Sequence, residues 1–363
     1  MKYKLKEIGN IITGKTPNTS ETENFSYNKS KYLFITPRDM NINSKYIKKT
    51  ERYLTDFVTK KMKHIILEGK SICISCIGSD MGKVYIIDGL SITNQQINSI
   101  TNINEICNPE YLYYYFKDKK GFFKSIAGGS TMPILKKSDF EDIIVDLPER
   151  YIQDKIVKIL NSLDEKIELN NHINNNLYEI VIQMYNNLFL NLEEWKEVKL
   201  NELGNISSGK RPNIKLEKGM YHIIGANGKM GYTSEYNFDK DIIITGRVGT
   251  LGVVKRYYKK IWASDNTLII ETKYKNYIEN YLKTLDYSSL NRGSTQPLLT
   301  QTDLKNQQIL FNDGLVSDFE FKAEKFVNKI RNNEEENEIL EQLRDTLLPK
   351  LLNGEINLDK VEL

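Results

Sequence analysis

The sequence predicts an α/β protein: two mixed α/β modules separated and joined by two long helices that form an antiparallel coiled coil, with a pseudo-twofold internal repeat. Three observations predict it. An N-terminal string of residues returns 195 positions later, net charge alternates in sign along the chain, and two helix-favouring stretches carry matching heptads. The boundaries that follow are residues 1–148 for the first module and 149–193 for a central helix. The second module then takes 194–313, and 314–363 forms a C-terminal helix that pairs with the central one.

The chain has 363 residues, 40% of them apolar and 27% charged, as in an ordinary globular protein of two or three domains. No apolar run approaches the ~18 residues needed to span a bilayer. Residues Met1 to Glu7 alternate charge with apolar side chains, unlike a signal peptide. Three cysteines cannot close a disulfide framework. The expectation is a reduced, soluble, cytoplasmic protein. The overall charge of +3 divides as +6 over residues 1–150, −3 over 151–196, +5 over 197–313 and −5 over 314–363. Basic modules attract polyanions, whereas acidic helices suit spacing or protein docking.

In the first module, Lys4-Leu5-Lys6-Glu7-Ile8-Gly9-Asn10-Ile11 foreshadows Lys199-Leu200-Asn201-Glu202-Leu203-Gly204-Asn205-Ile206 in the second. Gly14-Lys15-Thr16-Pro17 matches Gly209-Lys210-Arg211-Pro212 at the same offset, and Gly129-Ser130-Thr131-Met132-Pro133 matches Gly293-Ser294-Thr295-Gln296-Pro297 at 164. The falling offset means that the second copy is shorter. Between these anchors, residues 71–78 and 241–249 are apolar runs ended by glycine, which read as strands.

Residues 151–190 contain no proline or glycine. Their heptad seam runs through Ile156, Leu160, Leu163, Ile167, Asn170, Asn174 and Leu177. A shift of 163 gives the second seam: Phe319, Ala323, Phe326, Ile330, Asn333, Asn337 and Leu340, with Arg344 interrupting it further on. An antiparallel pair places Asn170 and Asn174 opposite Asn333 and Asn337, which satisfies their amides and fixes register. It also spares the second module from carrying the chain back along a helix roughly 57 Å long. Replacing Asn170 and Asn174 with leucine is expected to strengthen pairing and loosen its register.

Residues 9–16 match the phosphate-loop pattern G-x-x-x-x-G-K-[ST]. They lack the buried strand before it and the apolar helix after it. Cys73 and Cys76 are three apart in a predicted strand and face opposite sides. With Cys107 remote and three scattered histidines, no zinc set or catalytic triad forms. No two prolines are adjacent, so the Pro-Pro element of DNA amino-methyltransferases is missing. Gly-x-Gly elements for a nucleoside cofactor are also absent.

The two-copy layout, with an acidic helix closing each copy, resembles the specificity subunit of type I restriction–modification systems. The resemblance rests on the stretch from Leu343 to Ile356, on residues 163–170 and 9–17, on Gly128-Gly129-Ser130-Thr131, and on their order and duplication. It implies a non-catalytic subunit whose two target-recognition domains each read one half of a bipartite double-stranded DNA site. It further implies that the paired helices set the spacing and dock two methyltransferase subunits. S-adenosylmethionine would then belong to those subunits, and ATP and magnesium to motor-nuclease subunits. The sequence departs from the pattern in its shorter second module and in Arg344, which suggests helix splaying or a partner contact.

Loops beside strand ends are expected to present base readers and phosphate clamps. In the first copy the candidates are Lys15, Thr16, Arg38, Asp39, Ser79, Lys83, Gln95 and Gln96. In the second they are Lys210, Arg211, Asn227, Lys229, Arg247, Thr250, Asp265 and Asn266. Two other readings compete: a self-contained modification or restriction enzyme with diverged motifs, and a stand-alone two-headed DNA-binding regulator.

Overall fold

The structure, a computed structural model, describes residues 1–40, 44–78, 80–128, 133–190, 193 and 195–358. Two compact units emerge. The first is residues 1–170 with 335–363, and the second is residues 171–334. Each unit therefore contains one module and half of each long helix, so the units divide within the helices and not at their ends.

The first module contains β1 (Lys2–Lys4), β2 (Asn10–Thr13), β3 (Phe25–Ser26), β4 (Tyr32–Ile35), β5 (Arg52–Leu54), β6 (Lys70–Ser75), β7 (Val84–Asp88), β8 (Ser91–Thr93), β9 (Ile97–Thr101) and β10 (Ile144–Asp146). One sheet has the order β2-β9-β6-β7, a second β3-β5-β4-β8, and β1 pairs with β10. Successive side chains of a strand face opposite ways, so β6 contributes to two cores. Ile72 and Ile74 enter one with Tyr111, Tyr114 and Phe116 of the helix Pro109–Asp118. Cys73 enters the other with Ile35 and Ile87. Leu348, Leu351 and Leu358 are buried in the first of these cores.

The second module contains β11 (Lys196–Lys199), β12 (Gly204–Ser208), β13 (Tyr221–Gly225), β14 (Gly228–Thr233), β15 (Ile242–Gly246), β16 (Val254–Tyr257), β17 (Ile261–Ala263), β18 (Thr267–Thr272) and β19 (Gln308–Phe311). Its sheets are β12-β18-β15-β16 and β14-β13-β17, and β11 pairs with β19. Strand for strand this repeats the first module. The parallel pair β4–β8 has its counterpart in β13–β17. The shortening is located: among the described residues of the second module, β3 and the helices Asp56–Lys61 and Lys120–Ile126 of the first have no equivalent.

The long helices are Arg150–Asn187 and Asp313–Leu352, of 38 and 40 residues. In the first unit Arg344 meets Asp164 and Asn337 meets Asn170. In the second, Asn333 meets Asn174 and Phe319 meets Tyr185. Partner numbers fall as central-helix numbers rise, so the helices are antiparallel in each. Ile156, Leu160, Ile167, Phe319, Ala323 and Ile330 are buried, and Leu163, Leu177, Phe326 and Leu340 half-buried, as the heptads require.

The amide pairing is specific. Asn170 Nδ2 donates to Asn337 Oδ1 at 2.9 Å and to Glu336 Oε2 at 2.8 Å. Asn333 Nδ2 donates to Asn174 Oδ1 at 2.7 Å. Arg344 is met within the chain, across the helix pair. Its Nη1 donates to Asp164 Oδ1 at 2.8 Å, with both side chains 13% exposed.

Each module is fastened to its helices by a buried ion cluster. Glu110 accepts from Lys45 at 3.0 Å, Lys70 at 2.6 Å and Tyr46 at 2.9 Å, and also from Asn161 of the central helix. Burial by itself would raise the Glu110 carboxyl, but these donors and the Lys45 charge hold it at about 2. In the second module Asp241 accepts from Arg256 at 2.7 and 2.6 Å and from Arg331 of the C-terminal helix at 2.5 Å.

Two outcomes are expected. Because the folded Glu110 carboxyl lies below its ordinary value of 4.5, its stabilisation is complete above that pH and fades as pH falls toward about 2. Glu110→Gln should then cost about 3 kcal/mol near neutrality and much less at pH 3, compared with wild type by urea unfolding at both pH values. Replacing only Asn170 and Asn174 with leucine takes the acceptor from the buried Asn333 amide and a donor from Asn337, at about 1–3 kcal/mol in all. The double variant should therefore lose thermal stability, against the sequence expectation. Leucine at all four positions should gain it.

Candidate nucleic-acid interface

Strand direction gathers the candidate loops. In the first module β2 ends beside the start of β9, with Thr13 opposite Asn98, and β6 ends there too, with Ser75 opposite Ile97. The parallel strands β4 and β8 finish together, with Ile35 opposite Thr93, and Asn94 N donates to Ile35 O at 2.9 Å. Segments 14–19, 36–40, 76–78, 80–83 and 94–96 thus meet at one end of the two sheets.

Lys15, Arg38 and Gln95 are solvent-exposed at this end. Thr16 Oγ1 donates to Gln95 Oε1 at 2.7 Å, which ties two of the loops together. Gln96 accepts from Asn94 Nδ2 at 3.0 Å, and its backbone carbonyl accepts from Cys76 N at 2.8 Å. Asp39 is already engaged: one oxygen accepts from Thr36 N and Oγ1, the other from Glu51 N. It shapes its loop, and its carboxylate is spent on doing so. Lys83 pairs with Asp80 at 2.9 Å. Ser79 lies outside the described residues, as do Gly129, Ser130, Thr131 and Met132.

The second module rebuilds the same end. Gly246 is opposite Thr267, Ser208 opposite Leu268, and Ser264 N donates to Ile224 O at 2.9 Å. Lys210, Arg211, Asn227, Lys229, Thr250 and Asp265 are exposed, and Asn266 is half-buried. Lys210 is oriented through its carbonyl, which accepts from Trp262 Nε1 at 2.7 Å. Asn227 forms part of the turn between β13 and β14, and Lys229 opens the return strand. Arg247 N donates to Asn266 O, and Leu299 N to Arg247 O, both at 2.8 Å. Cys76 makes the same two bonds, to Gln96 and Leu135, so Arg247 stands where the first module has a buried cysteine. Its Nε is buried with no hydrogen-bond partner among the described residues.

The other motifs find structural explanations. The central residues of the phosphate-loop pattern, Asn10–Thr13, are strand β2 and not a phosphate cradle. A Cβ on Gly14 would lie 2.0 Å from Thr93 O, and one on Gly209 2.1 Å from Ser264 O. The repeated glycines permit this close approach between loops. Cys73, Cys76 and Cys107 are buried, which pushes each thiol up to about 12. Among the described residues no group of three His, Cys, Asp or Glu side chains could hold a metal ion. No helix among the described residues is long and apolar enough to cross a membrane.

Sequence reasoning missed part of this surface. An open pocket of about 500 Å³ is lined by Tyr27, Thr36, Pro37, Glu51, Arg52 and Asn94 together with Arg38 and Gln96. Arg52 belongs to a short strand in which Tyr53 and Leu54 are buried, so it reads as a routine outward-facing residue. Only strand pairing brings it beside the loops.

Residues 1–179 and 192–311 each match the family described as the type I restriction modification DNA specificity domain. The chain belongs to that family. It carries two copies of the specificity domain, and as a specificity chain it is a non-catalytic, DNA-recognising part of a type I restriction–modification system. It is 27% identical over 416 residues to the MjaIX specificity subunit of Methanocaldococcus jannaschii, covering 99% of this chain and 94% of that one. It is 34% identical over 179 residues to the HindI specificity subunit of Haemophilus influenzae, covering 48% of this chain and 38% of that one. The specificity chain also shares its fold with the S subunit of a type I restriction–modification system from M. genitalium. That match has a TM-score of 0.61 at 18% identity and covers 97% and 95% of the two chains.

The glycine contacts make a testable point. Gly14→Ala and Gly209→Ala should each lower stability by about 1–3 kcal/mol and weaken DNA binding by pushing the loops apart. Gly121→Ala, whose Cβ would meet nothing within 4 Å, should do neither. Thermal melts and duplex-binding titrations of the three variants check this.

Proposed function

We propose that this specificity chain reads a bipartite site on double-stranded DNA, one half with each module. The paired helices set the spacing between the halves and dock two methyltransferase subunits. The observation that carries the reading is the duplicated loop cluster: one topology twice brings polar and basic loops to one end of a module. The charge division supports it, since the modules carry +6 and +5 and the helical segments −3 and −5. Neutralising phosphates favours DNA on the basic modules, while the acidic helices favour protein.

Exposed Lys15, Lys210 and Arg211 suit phosphate, and Gln95, Gln96 and Asn266 suit adenine edges in the major groove. The specificity chain binds no small cofactor in this scheme. S-adenosylmethionine belongs to the methyltransferase subunits, ATP and magnesium to motor-nuclease subunits, and the complex works in the cytoplasm.

Co-expression with the methyltransferase, followed by methylome sequencing, should return a two-part motif with a fixed spacer. Arg247→Ala should relax selection at one base position, in one half only, by about tenfold. A contiguous motif would count against the two-headed reading, and an equal loss on all sequences would reduce Arg247 to a phosphate contact.

A further inference from the structure

We infer that Arg52 is a guanine-reading residue of the first module, a role that rests on the proposed DNA reading of that module. The Arg52 guanidinium lies over the Phe25 ring at 4.7 Å and the Phe34 ring at 5.4 Å. The two rings pack edge to face, 5.5 Å apart. The rings attract the cation through their π faces and take up none of its N–H donors as hydrogen-bond partners, which leaves those donors for a ligand. Among the described residues no hydrogen bond or ion pair takes them up. The cation is thus held between two rings with its donors still available.

Its surroundings favour a base edge over a phosphate. Arg52 shares its pocket with Arg38, Glu51, Asn94 and Gln96, and the exposed Tyr27 stands at the rim. Asn94 and Gln96 belong to the loop that follows β8, so the pocket opens at the end where the candidate loops converge. A phosphate entering here meets the Glu51 carboxylate as well as the two cations. A guanine–cytosine pair suits all of them: an arginine fork donates to O6 and N7 of guanine, and a carboxylate accepts from N4 of cytosine. Among the described residues of the second module no arginine lies over such a pair: the edge-to-face rings Tyr221 and Tyr236 carry Lys260 instead, which has no guanidinium fork, so the preference belongs to one half-site only.

Selection of a randomised duplex library by the full chain, as wild type, Arg52→Ala and Arg52→Lys, tests this. Wild type should select guanine at one position of one half-site. Both variants should lose that preference by about tenfold or more and keep the rest of the motif. Lysine retains the charge over the rings but not the fork, so it decides the matter if circular dichroism shows the alanine variant unfolded. Uniform weakening on every sequence would make Arg52 a phosphate clamp. An unchanged motif, or loss at a base other than guanine, would equally overturn the inference. A wild-type chain that selects no bipartite sequence removes the parent reading and this one together. Variants that keep a wild-type bipartite motif remove only this one.

Discussion

A carboxylate taken out of water must be met by cations or give up its charge, and both modules are held to their helices by such a group. In the first, Glu110 draws in Lys45 and Lys70 from the module and Asn161 from the central helix. In the second, Asp241 draws in Arg256 from the module and Arg331 from the C-terminal helix. The chemistry is the same but the residues are not copied: the clustered cations are lysines in one, and two arginines with Lys275 in the other. Apolar packing alone lets neighbouring elements slide at modest cost, whereas a buried charge network tolerates one geometry. Loops that read DNA edges need that intolerance beneath them.

Duplication preserved the scaffold and freed the reading end. Main-chain bonds around Cys76 and Arg247 coincide, yet one side chain is a sealed thiol and the other an arginine with a buried unpartnered nitrogen. The ring pair around Arg52 takes Phe25 from the extra strand of the first module. Backbone geometry is shared, and the chemistry presented at that end differs through single residues and through the added elements of the first module.

The fold was legible because its signals are periodic or repeated. Strings such as Gly14-Lys15-Thr16-Pro17 recur because the same close backbone approach recurs, and the four asparagines announce themselves as polar breaks in apolar heptads. What escaped notice depends on residues distant in sequence. Arg344 reads as a fault in its seam until Asp164, 180 residues earlier, is seen to answer it. Glu110 follows the capping residue Asn108 and reads as an ordinary first-turn acid, though it anchors a buried cluster. Of the candidate loop residues, strand order brought most together. Asp39 and Lys83 proved to be engaged within the module, and Arg52 could be found only through pairing of β5 with β4.

Leu348, Leu351 and Leu358 complete the core of the module that the ribosome makes first. During synthesis that module must wait, its core open, until nearly the whole described chain has emerged, while the second module already has both its helical segments. A premature stop before residue 347 would leave the earlier-made half with the defect. The module made first is therefore the one whose core is completed last.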